Sequence, residues 1–409
     1  MSLQIFKHYV FPLVIMSIVP VLSVGLVSYT SRTSLSDLPK LFSDYSQWSW
    51  VYAWLIFVCW AALSQFIPFG KYYYGPETST GHKPIYRDNG FTYYILTMAV
   101  LIGIDLQGHW DVGTLANHFV VYTIFSNIFG LFVAVLLYIK GCYFPTTGQT
   151  LRTGSFLFDL YSGIELYPRI KSFDIKMFTN CRYGMMLWNI IIYAFFRNHY
   201  SLNSLTCFTL QTIYIAKFFW WEAGYMKSID IIVDHAGYMI CYGCIAVVPT
   251  FYTLASYYWM HNTVTDVFAY EVPIFSLVFG IGMVILNYWV DYQRQLARRT
   301  DGQCSLFGTE AKMLTVEYTT EYGLKQSKLL YSGFWGWARH FNYVPEILAC
   351  LFWCTTGTFN EITLFYPIYL TILLVHRSIR DDDKCLTKYG DGWVKYCELV
   401  KYKIIPGIY

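Results

Sequence analysis

Four residues that could donate or relay a proton stand close together in FFWWEAGYMKSIDIIVDH, beside apolar stretches: Glu222, Tyr225, Asp230 and Asp234. On a helix, Glu222 and Tyr225 share a face at a spacing of three residues, and Asp230 and Asp234 share one at four. Carboxylates at membrane depth are costly to bury, which makes them functional candidates. Burial also raises the pKa of a carboxyl group and suits it to general acid catalysis. An interfacial loop with solvated acids explains the pattern equally well.

A second polar run begins with GIELYPR at residues 163–169 and continues with Asp174, Lys176, Asn180 and Arg182. It lies between two apolar runs and mixes both signs of charge. A loop lid, an ion-pair network and a substrate gate all agree with this composition. On periodicity alone, a packed polar loop is the simpler interpretation.

Two arginines, Arg294 and Arg298, stand one helical turn apart just after an apolar run that ends near Val290. Two guanidinium groups on one helix face can bind a phosphate through paired hydrogen bonds. Juxtamembrane arginines more often contact lipid headgroups. The pattern by itself therefore favours membrane lipid as the partner of this pair.

The C-terminal region combines cations, hydrogen-bond donors and aromatic rings. Steps of four, three and four residues place Asp381, Cys385 and Lys388 or Tyr389 on one helix stripe, which Gly390 would end or bend. The surrounding candidates of the same types are Trp335, His340, Asn342, Tyr343 and Tyr396. These types suit a dinucleotide, yet no Rossmann glycine signature, P-loop or G-x-S-x-G motif is present. A nucleotide here would need an unrelated architecture.

The elements that position these residues follow from composition. The chain has 409 residues, of which 56% are hydrophobic, 20% aromatic and 13% charged; soluble domains average about 25% charged residues. With a mean hydropathy of +0.37, the chain is not an ordinary soluble enzyme, a disordered protein or a collagen-like fibre. The net charge of +3 does not indicate nucleic acid as a partner.

Apolar runs with no more than one charged residue each recur throughout and predict an all-α polytopic membrane protein of about ten spans. The long runs are Tyr9–Thr30, Trp48–Gly70, Phe119–Ile139, Ala236–Met260 and Val272–Val290. The shorter ones are Phe91–Ile104, Tyr183–Phe196, Leu205–Trp221, Val344–Phe359 and Ile362–Val375. Arg377–Tyr409 is too polar for a span, so we expect this tail to fold against the cytoplasmic helix ends.

The positions of the charged residues and cysteines indicate the orientation of the chain and the state of its thiols. Fourteen of the 29 Lys and Arg residues fall within 294–403, which favours a cytoplasmic location for that region. The eleven cysteines are scattered through apolar runs, as reduced buried thiols are. Cys241 and Cys244 form one C-x-x-C without a second half, so we expect no metal site.

Several long motifs resemble the sterol reductase family. They are GHKPIYRDNG (81–90), GIELYPRI (163–170), TNCRYGMM (179–186), FFWWEAGY (218–225), ARHFNYVPE (338–346), RDDDKC followed by KYG (380–390) and IIPGIY (404–409). The resemblance covers the chain from about residue 68 to its last residue. EAGY and TNCRYGMM look more like the delta-7 branch of the family than the C14 branch.

This resemblance implies a membrane reductase with ten helices in a single domain, 1–409. Residues 1–200 would supply the N-terminal spans and a polar loop. Residues 201–409 would bind the sterol and NADPH. It implies a cytoplasmic-facing C-terminal cofactor pocket. The NADPH contacts that it implies are Arg294, Arg298, Leu330, Trp335, Asn342, Tyr343, Asp381, Cys385, Lys388, Tyr389 and Tyr396. The family commonly has lysine where this chain has Arg294, so charge is kept while geometry differs.

The implied activity is reduction of the C7–C8 double bond of a sterol such as 7-dehydrocholesterol. An isolated alkene does not accept hydride, so one carbon must first take a proton; Glu222, Tyr225, Asp230 and Asp234 are the candidate donors or relays. A sterol C14-reductase, a non-catalytic sterol-binding protein and a transporter are the alternatives. A transporter is disfavoured because no paired broken helices are evident.

The expected partners are a sterol that enters from the bilayer, membrane lipid and other enzymes of sterol synthesis. The expected location is the endoplasmic reticulum membrane in a eukaryote or the cytoplasmic membrane in a bacterium.

Overall fold

In the computed structural model, helices account for most of the chain. The structure describes residues 3–37, 39, 48–75, 81, 83–146, 148, 150–262, 270–320 and 323–409. The chain divides into two compact units, Met1–Thr265 and Asp266–Tyr409. The single domain expected over 1–409, with its halves at 1–200 and 201–409, stays a prediction.

The first unit is a helical bundle with two small antiparallel sheets. Its helices are α1 (Phe11–Ser31), α2 (Trp48–Leu63), α3 (Gly90–Leu106), α4 (Gly113–Asn117), α5 (Phe119–Tyr143), α6 (Phe156–Ser162), α7 (Met186–Asn198), α8 (Leu202–Trp220), α9 (Glu222–Tyr225), α10 (Ile229–Ile232), α11 (Val248–Phe251) and α12 (Leu254–His261). Short helical segments, Leu3–Ile5 and Phe6–Val10, precede α1. The strands are β1 (Tyr72–Tyr74) with β2 (Ile85–Arg87) and β3 (Arg169–Ile170) with β4 (Phe173–Asp174).

Two π-helical segments, Met177–Met185 and Tyr238–Val247, lie in the core of this unit. They approach each other backbone to backbone at Gly184, where a Cβ atom would stand 2.7 Å from the carbonyl oxygen of Cys244. Glycine is therefore required at this position by space. Such π segments are rare and often occur at functional sites, and the first one carries Asn180 and Arg182.

The second unit combines helices with two antiparallel hairpins. Its elements are α13 (Glu271–Arg299), β5 (Ser305–Leu306), β6 (Thr309–Glu310), β7 (Met313–Thr320), β8 (Gly323–Leu330), α14 (Tyr343–Cys354), α15 (Glu361–Tyr389) and α16 (Asp391–Leu399). The strands β7 and β8 pair along their whole length, from Met313 opposite Leu330 to Thr320 opposite Gly323. The prediction of an all-α chain holds for most of the described residues, and the strands of the two units are the exception. The β7–β8 hairpin packs on the C-terminal helices.

The start and end of α15 have clear local causes. The side chain of Asn360 accepts hydrogen bonds from the backbone N–H groups of Ile362 and Thr363, which caps the helix. Gly390 ends it with φ near +50°, a conformation that glycine adopts without steric cost. The sequence predicted that Arg377–Tyr409 is a tail separate from the last apolar run. Residues 377–389 instead belong to α15, so that expectation is wrong for these thirteen residues. The stripe expected at Asp381, Cys385 and Lys388 is confirmed as helical.

Within the residues that the structure describes, six helices are long and apolar enough to cross a membrane. They are Phe6–Ser31, Ser49–Phe66, Phe119–Tyr143, Tyr238–His261, Glu271–Arg299 and Glu361–Tyr389. The first five correspond to the five long runs expected from the sequence. Of the shorter runs, two form apolar helices below spanning length, at Gly90–Leu106 and Tyr343–Cys354. The chain is thus a helical membrane protein.

Candidate active site

The four candidate proton donors follow α8 without a long loop. Glu222 opens the four-residue helix α9 and Tyr225 closes it, so these two share a helix as the spacing suggested. Asp230 lies in α10, which ends at Ile232. Asp234 lies beyond that end, so Asp230 and Asp234 do not share a helix face. The prediction of a shared face from their four-residue spacing is therefore wrong.

Glu222 forms a buried ion pair with Arg182 of the first π segment. One Arg182 Nη atom lies 2.6 Å from Glu222 Oε2, and both side chains have no exposed surface. The pair joins the first and second polar groups of the sequence, so the second group contains the ion pairs that its composition allowed. Two further ion pairs support it, Lys140 with Glu165 at 2.6 Å and Arg169 with Asp174 at 3.0 Å.

Asn89 and Gly90 complete the surroundings of this pair. Asn89 Oδ1 accepts a hydrogen bond from Arg182 at 2.7 Å. A Cβ atom at Gly90 would stand 2.6 Å from Glu222 Oε2, so glycine leaves the space that the carboxylate occupies. The Arg182 guanidinium also lies 5.2 Å from the centre of the Tyr93 ring, within range of a cation–π contact. Arg182 is therefore held by an ion pair, a hydrogen bond and a cation–π contact.

An apolar shell around this site explains its electrostatics. The buried cluster contains Tyr86, Tyr167, Met177, Cys181, Met226 and Ile231. Desolvation raises the pKa of Glu222 to about 7, and the charge of Arg182 opposes that rise. Both protonation states of Glu222 are therefore populated near neutral pH, which suits a general acid. Glu222 Oε1 and the Nε and Nη1 atoms of Arg182 are buried without a hydrogen-bond partner among the described residues.

Tyr225 is fixed by the neighbouring π segment. Its hydroxyl oxygen accepts a hydrogen bond from Asn180 Nδ2 at 3.2 Å, and the Thr179 hydroxyl donates to Asn180 Oδ1 at 2.9 Å. Because the Tyr225 oxygen is the acceptor, the phenolic proton is not used in this contact. Burial raises the pKa of Tyr225 well above its ordinary value, so the phenol stays protonated.

Lys176 ties the acidic segment to the polar loop before it. Its ammonium group donates to the backbone carbonyls of Leu166, Ile231 and Asp234 at 3.3, 2.8 and 2.7 Å. Lys176 is buried, and desolvation lowers its pKa to about 8. It thus acts as a structural cross-link between the polar loop and the C-terminal end of α10.

In the second unit, Arg294 lies on an aromatic face. Its guanidinium carbon is 4.1 Å from the centre of the Trp335 ring, and it pairs with Asp291 at 3.2 Å. Asn342 also donates to Asp291, at 3.4 Å. The indole N–H of Trp335 donates to the carbonyl of Val290 at 2.8 Å, which fixes the ring. Three of the expected cofactor residues are therefore in one network.

A second network surrounds Asp381. The thiol of Cys385 lies 3.9 Å from the Asp381 carboxylate, and His340 Nε2 lies 3.7 Å from it. The His340 ring stacks on Tyr343 with centres 5.0 Å apart. Burial lowers the pKa of His340 to about 4, so this imidazole is neutral at physiological pH.

The remaining expected cofactor residues lie near the end of α15 and on its neighbours. Lys388 Nζ is 4.8 Å from the centre of the Tyr389 ring. The Tyr396 hydroxyl donates to the carbonyl of Leu330 at 2.9 Å. Arg298 is exposed on α13. The structure leaves their roles as cofactor ligands a prediction.

The cysteines and potential metal ligands form no candidate site in the described residues. All eleven cysteines are free thiols. Cys241 Sγ accepts a hydrogen bond from the Thr179 hydroxyl at 3.6 Å, which is a packing role. No group of three or more His, Cys, Asp or Glu within the described ranges could hold a metal ion.

Sequence reasoning missed several residues of these sites. Asn89 and Gly90 were part of a motif without a role, and Arg182 was assigned to a polar loop. The signal for Arg182 is a charged residue next to the apolar run that begins at Tyr183, since charges at membrane depth are normally paired. His340 is absent from the NADPH contacts that the resemblance implies, although it lies 3.7 Å from Asp381.

The fold and these side chains define a helical integral membrane protein with a buried carboxyl–guanidinium pair in one unit and a basic, aromatic face in the other. The model of the ergosterol biosynthesis ERG4/ERG24 family matches residues 5–409. The chain belongs to this family of sterol reductases. It is therefore an oxidoreductase of sterol metabolism.

Individual relatives agree with this assignment. The chain is 43% identical over 371 residues to a 7-dehydrocholesterol reductase from Arabidopsis thaliana, covering 87% of this chain and 85% of the relative. It is 32% identical over 406 residues to one from Xenopus laevis, covering 93% and 85%. It is 31% identical over 370 residues to a delta(14)-sterol reductase from Methylotuvimicrobium alcaliphilum, covering 87% and 82%.

Proposed function

We propose that this chain reduces the C7–C8 double bond of a sterol 5,7-diene such as 7-dehydrocholesterol, with NADPH as the source of hydride. The observation that carries the substrate is the 43% identity to a plant protein of that name over 371 residues. A C14 alkene is the second candidate substrate because a bacterial delta(14)-sterol reductase is 31% identical. The EAGY and TNCRYGMM segments favour the first.

The reaction adds a proton to one alkene carbon and a hydride to the other. Protonation of a conjugated ring-B diene gives an allylic cation, which is better stabilised than the cation of an isolated alkene. The protein must therefore supply an acid that is protonated near neutral pH and surroundings that exclude water. The apolar cluster around Glu222 meets the second requirement.

Glu222 is the proton donor that the geometry supports best among Glu222, Tyr225, Asp230 and Asp234. Its pKa near 7 balances the fraction protonated against acid strength. Once the proton leaves, Arg182 at 2.6 Å stabilises the carboxylate that remains. Tyr225 occupies the other end of the same helical turn and is the second donor, and the two aspartates would supply protons by relay.

The residues of the second unit fit an anionic dinucleotide. Asn342 Oδ1 is buried without a hydrogen-bond partner among the described residues, and an amide N–H₂ group is the kind of donor that would satisfy it. The exposed cations Arg298 and Lys388 and the Arg294–Trp335 pair offer phosphate contacts and a ring to stack on. The eleven residues named from the resemblance would hold NADPH. When bound, it supplies the hydride.

The topology belongs to the same proposal. We expect about ten spans, with the cofactor face of Asp266–Tyr409 in the cytoplasm, because basic residues concentrate there. The sterol would enter from the bilayer. The membrane would be the endoplasmic reticulum in a eukaryote or the cytoplasmic membrane in a bacterium, beside other enzymes of sterol synthesis.

Purified protein supplied with NADPH tests the substrate directly. A 5,7-diene sterol and a C14-alkene sterol are offered separately, and products are identified by mass spectrometry. We expect reduction of the diene at C7–C8. Turnover of the C14 alkene alone would reassign the enzyme to the second candidate.

Single substitutions test the donor: Glu222→Gln, Tyr225→Phe, Asp230→Asn and Asp234→Asn. General acids contribute about 10²–10⁴-fold to rates, so Glu222→Gln should lower kcat by that order while the KM for sterol changes little. Glu310→Gln is the matched control because Glu310 is exposed on β6. Full turnover by all four variants would remove this acid pool from the mechanism but leave the substrate assignment standing.

A further inference from the structure

The β7–β8 hairpin, Met313–Leu330, is fixed to the C-terminal helices by an apolar face. Val316 and Leu329 pack in one buried cluster with Trp393, Tyr396 and Val400. A Cβ atom at Gly392 would stand 2.9 Å from Val316 Cγ1, so the hairpin lies directly on the first turn of α16. This contact makes the hairpin a rigid neighbour of the α15 stripe.

The hairpin places an aromatic ring against Lys388. Lys388 Nζ lies 4.3 Å from the centre of the Tyr318 ring and 4.8 Å from that of Tyr389. The two rings meet edge to face with centres 5.4 Å apart. The Tyr389 hydroxyl donates to Ser327 on β8 at 3.4 Å. The ammonium group is therefore held between two rings that the hairpin itself positions.

Lys388 has a charge that no carboxylate in the described residues neutralises. Its side chain is exposed, and its contacts there are the two tyrosine rings. By contrast, Lys328 on the same hairpin pairs with Asp301 at 2.6 Å. A cation oriented by aromatic faces, with its remaining N–H groups open to solvent, is suited to an incoming anion.

We propose that Tyr318 is a positioning residue for cofactor choice: it holds Lys388 at the adenosine end of the dinucleotide, where Lys388 binds the 2′-phosphate. This group is what distinguishes NADPH from NADH, and a cation beside it provides the discrimination. The neighbouring tyrosine rings offer a face for adenine. The arginines of α13, one of them stacked on Trp335, are left for the pyrophosphate.

This inference rests on the proposed use of NADPH, and its test reads binding rather than turnover. Titration calorimetry on the full chain in detergent measures the affinity for 2′,5′-ADP and for 5′-ADP, which differ by the 2′-phosphate. Tyr318→Thr removes the ring and keeps a β-branched residue in the strand. Tyr318→Phe keeps the ring, and Leu324→Ala changes an exposed hairpin residue away from Lys388.

A surface cation–π contact contributes about 0.5–1 kcal/mol, so Tyr318→Thr should weaken 2′,5′-ADP binding about two- to fivefold and leave 5′-ADP unchanged. Tyr318→Phe and Leu324→Ala should bind both probes as the unaltered chain does. Equal weakening of both probes, or no weakening, in a Tyr318→Thr protein with an unchanged melting temperature overturns the proposal. If Tyr318→Thr does not fold, Lys388→Met is tested in its place. The proposal is overturned if Lys388→Met still prefers 2′,5′-ADP to 5′-ADP as strongly as the unaltered chain does.

The two proposals fail in different ways. If the unaltered chain reduces the diene with NADPH but Tyr318→Thr keeps its preference for 2′,5′-ADP, only the role of Tyr318 is lost. If the unaltered chain does not reduce the diene with NADPH, the proposed function is lost first.

Discussion

The Arg182–Glu222 pair allows the sharpest prediction. Both side chains are fully buried and 2.6 Å apart, so removing one partner leaves the polar atoms of the other unpaired in an apolar core. Arg182→Met keeps much of the side-chain length and should lower the free energy of unfolding by about 3–5 kcal/mol. Glu222→Gln should lower the free energy of unfolding by less than Arg182→Met does. The new amide oxygen still accepts a hydrogen bond from Arg182, and Asn89 still contacts the guanidinium group.

A double-mutant cycle isolates the pairwise contribution. The double variant Arg182→Met/Glu222→Gln needs no counter-charge, so it should be more stable than the sum of the two single losses predicts, by about 0.5–3 kcal/mol. Unfolding in mixed detergent, followed by tryptophan fluorescence, measures all four proteins. The exposed pair Lys328–Asp301 is the control, and Lys328→Met should cost about 0–1 kcal/mol. Additive losses within the first pair would refute the reasoning.

The same pair gives a pH dependence with a defined sign. Burial raises the pKa of Glu222 from its ordinary 4.5 to about 7, so between these values the folded protein binds a proton that the unfolded chain has released. The contribution of Glu222 to stability is therefore full below about pH 4.5 and is lost as the pH rises through about 7. Melting temperatures from pH 4.5 to 8 measure it. Glu222→Gln should flatten this part of the profile, and an unchanged slope would contradict the assignment.

Three further predictions concern single residues. Gly90→Ala should displace the Glu222 carboxylate, since the new Cβ would stand 2.6 Å from Oε2, and both kcat and the melting temperature should fall; unchanged kinetics would contradict it. Lys176→Met should lower the melting temperature because three buried carbonyls lose their donor, at about 1–3 kcal/mol each, whereas exposed Lys227→Met should not. Arg298→Ala should raise the KM for NADPH more than that for sterol in steady-state assays, and equal changes would argue against a phosphate contact.

Much of this protein follows from local sequence. Low charge and long apolar runs predicted a helical membrane protein, because the bilayer core requires about 20 apolar residues per helical span. The four- and three-residue steps from Asp381 to Lys388 and the glycine at 390 predicted the stripe and end of α15, because both depend only on backbone geometry within one element. Long motifs indicated the family.

Other features depend on residues far apart in sequence. The four-residue step from Asp230 to Asp234 suggested a shared face, but α10 ends between them, at Ile232. The Asp234 backbone carbonyl accepts a hydrogen bond from Lys176, a residue 58 positions earlier. The hairpin Met313–Leu330 was not anticipated. Its strands are specified by packing on α16, a contact that no pattern within the hairpin encodes.

The sequence alone determined that this chain spans a membrane, belongs among sterol reductases and carries a cluster of acids beside apolar runs. Only the tertiary structure decided which of these acids forms a buried ion pair and has a raised pKa. It places Glu222 against Arg182, which lies forty residues earlier, and next to Gly90. The physical reason is that spacing within an element fixes which side chains share a face. The pKa and the partner of a charged group depend instead on desolvation, which exists only after distant segments have packed around it.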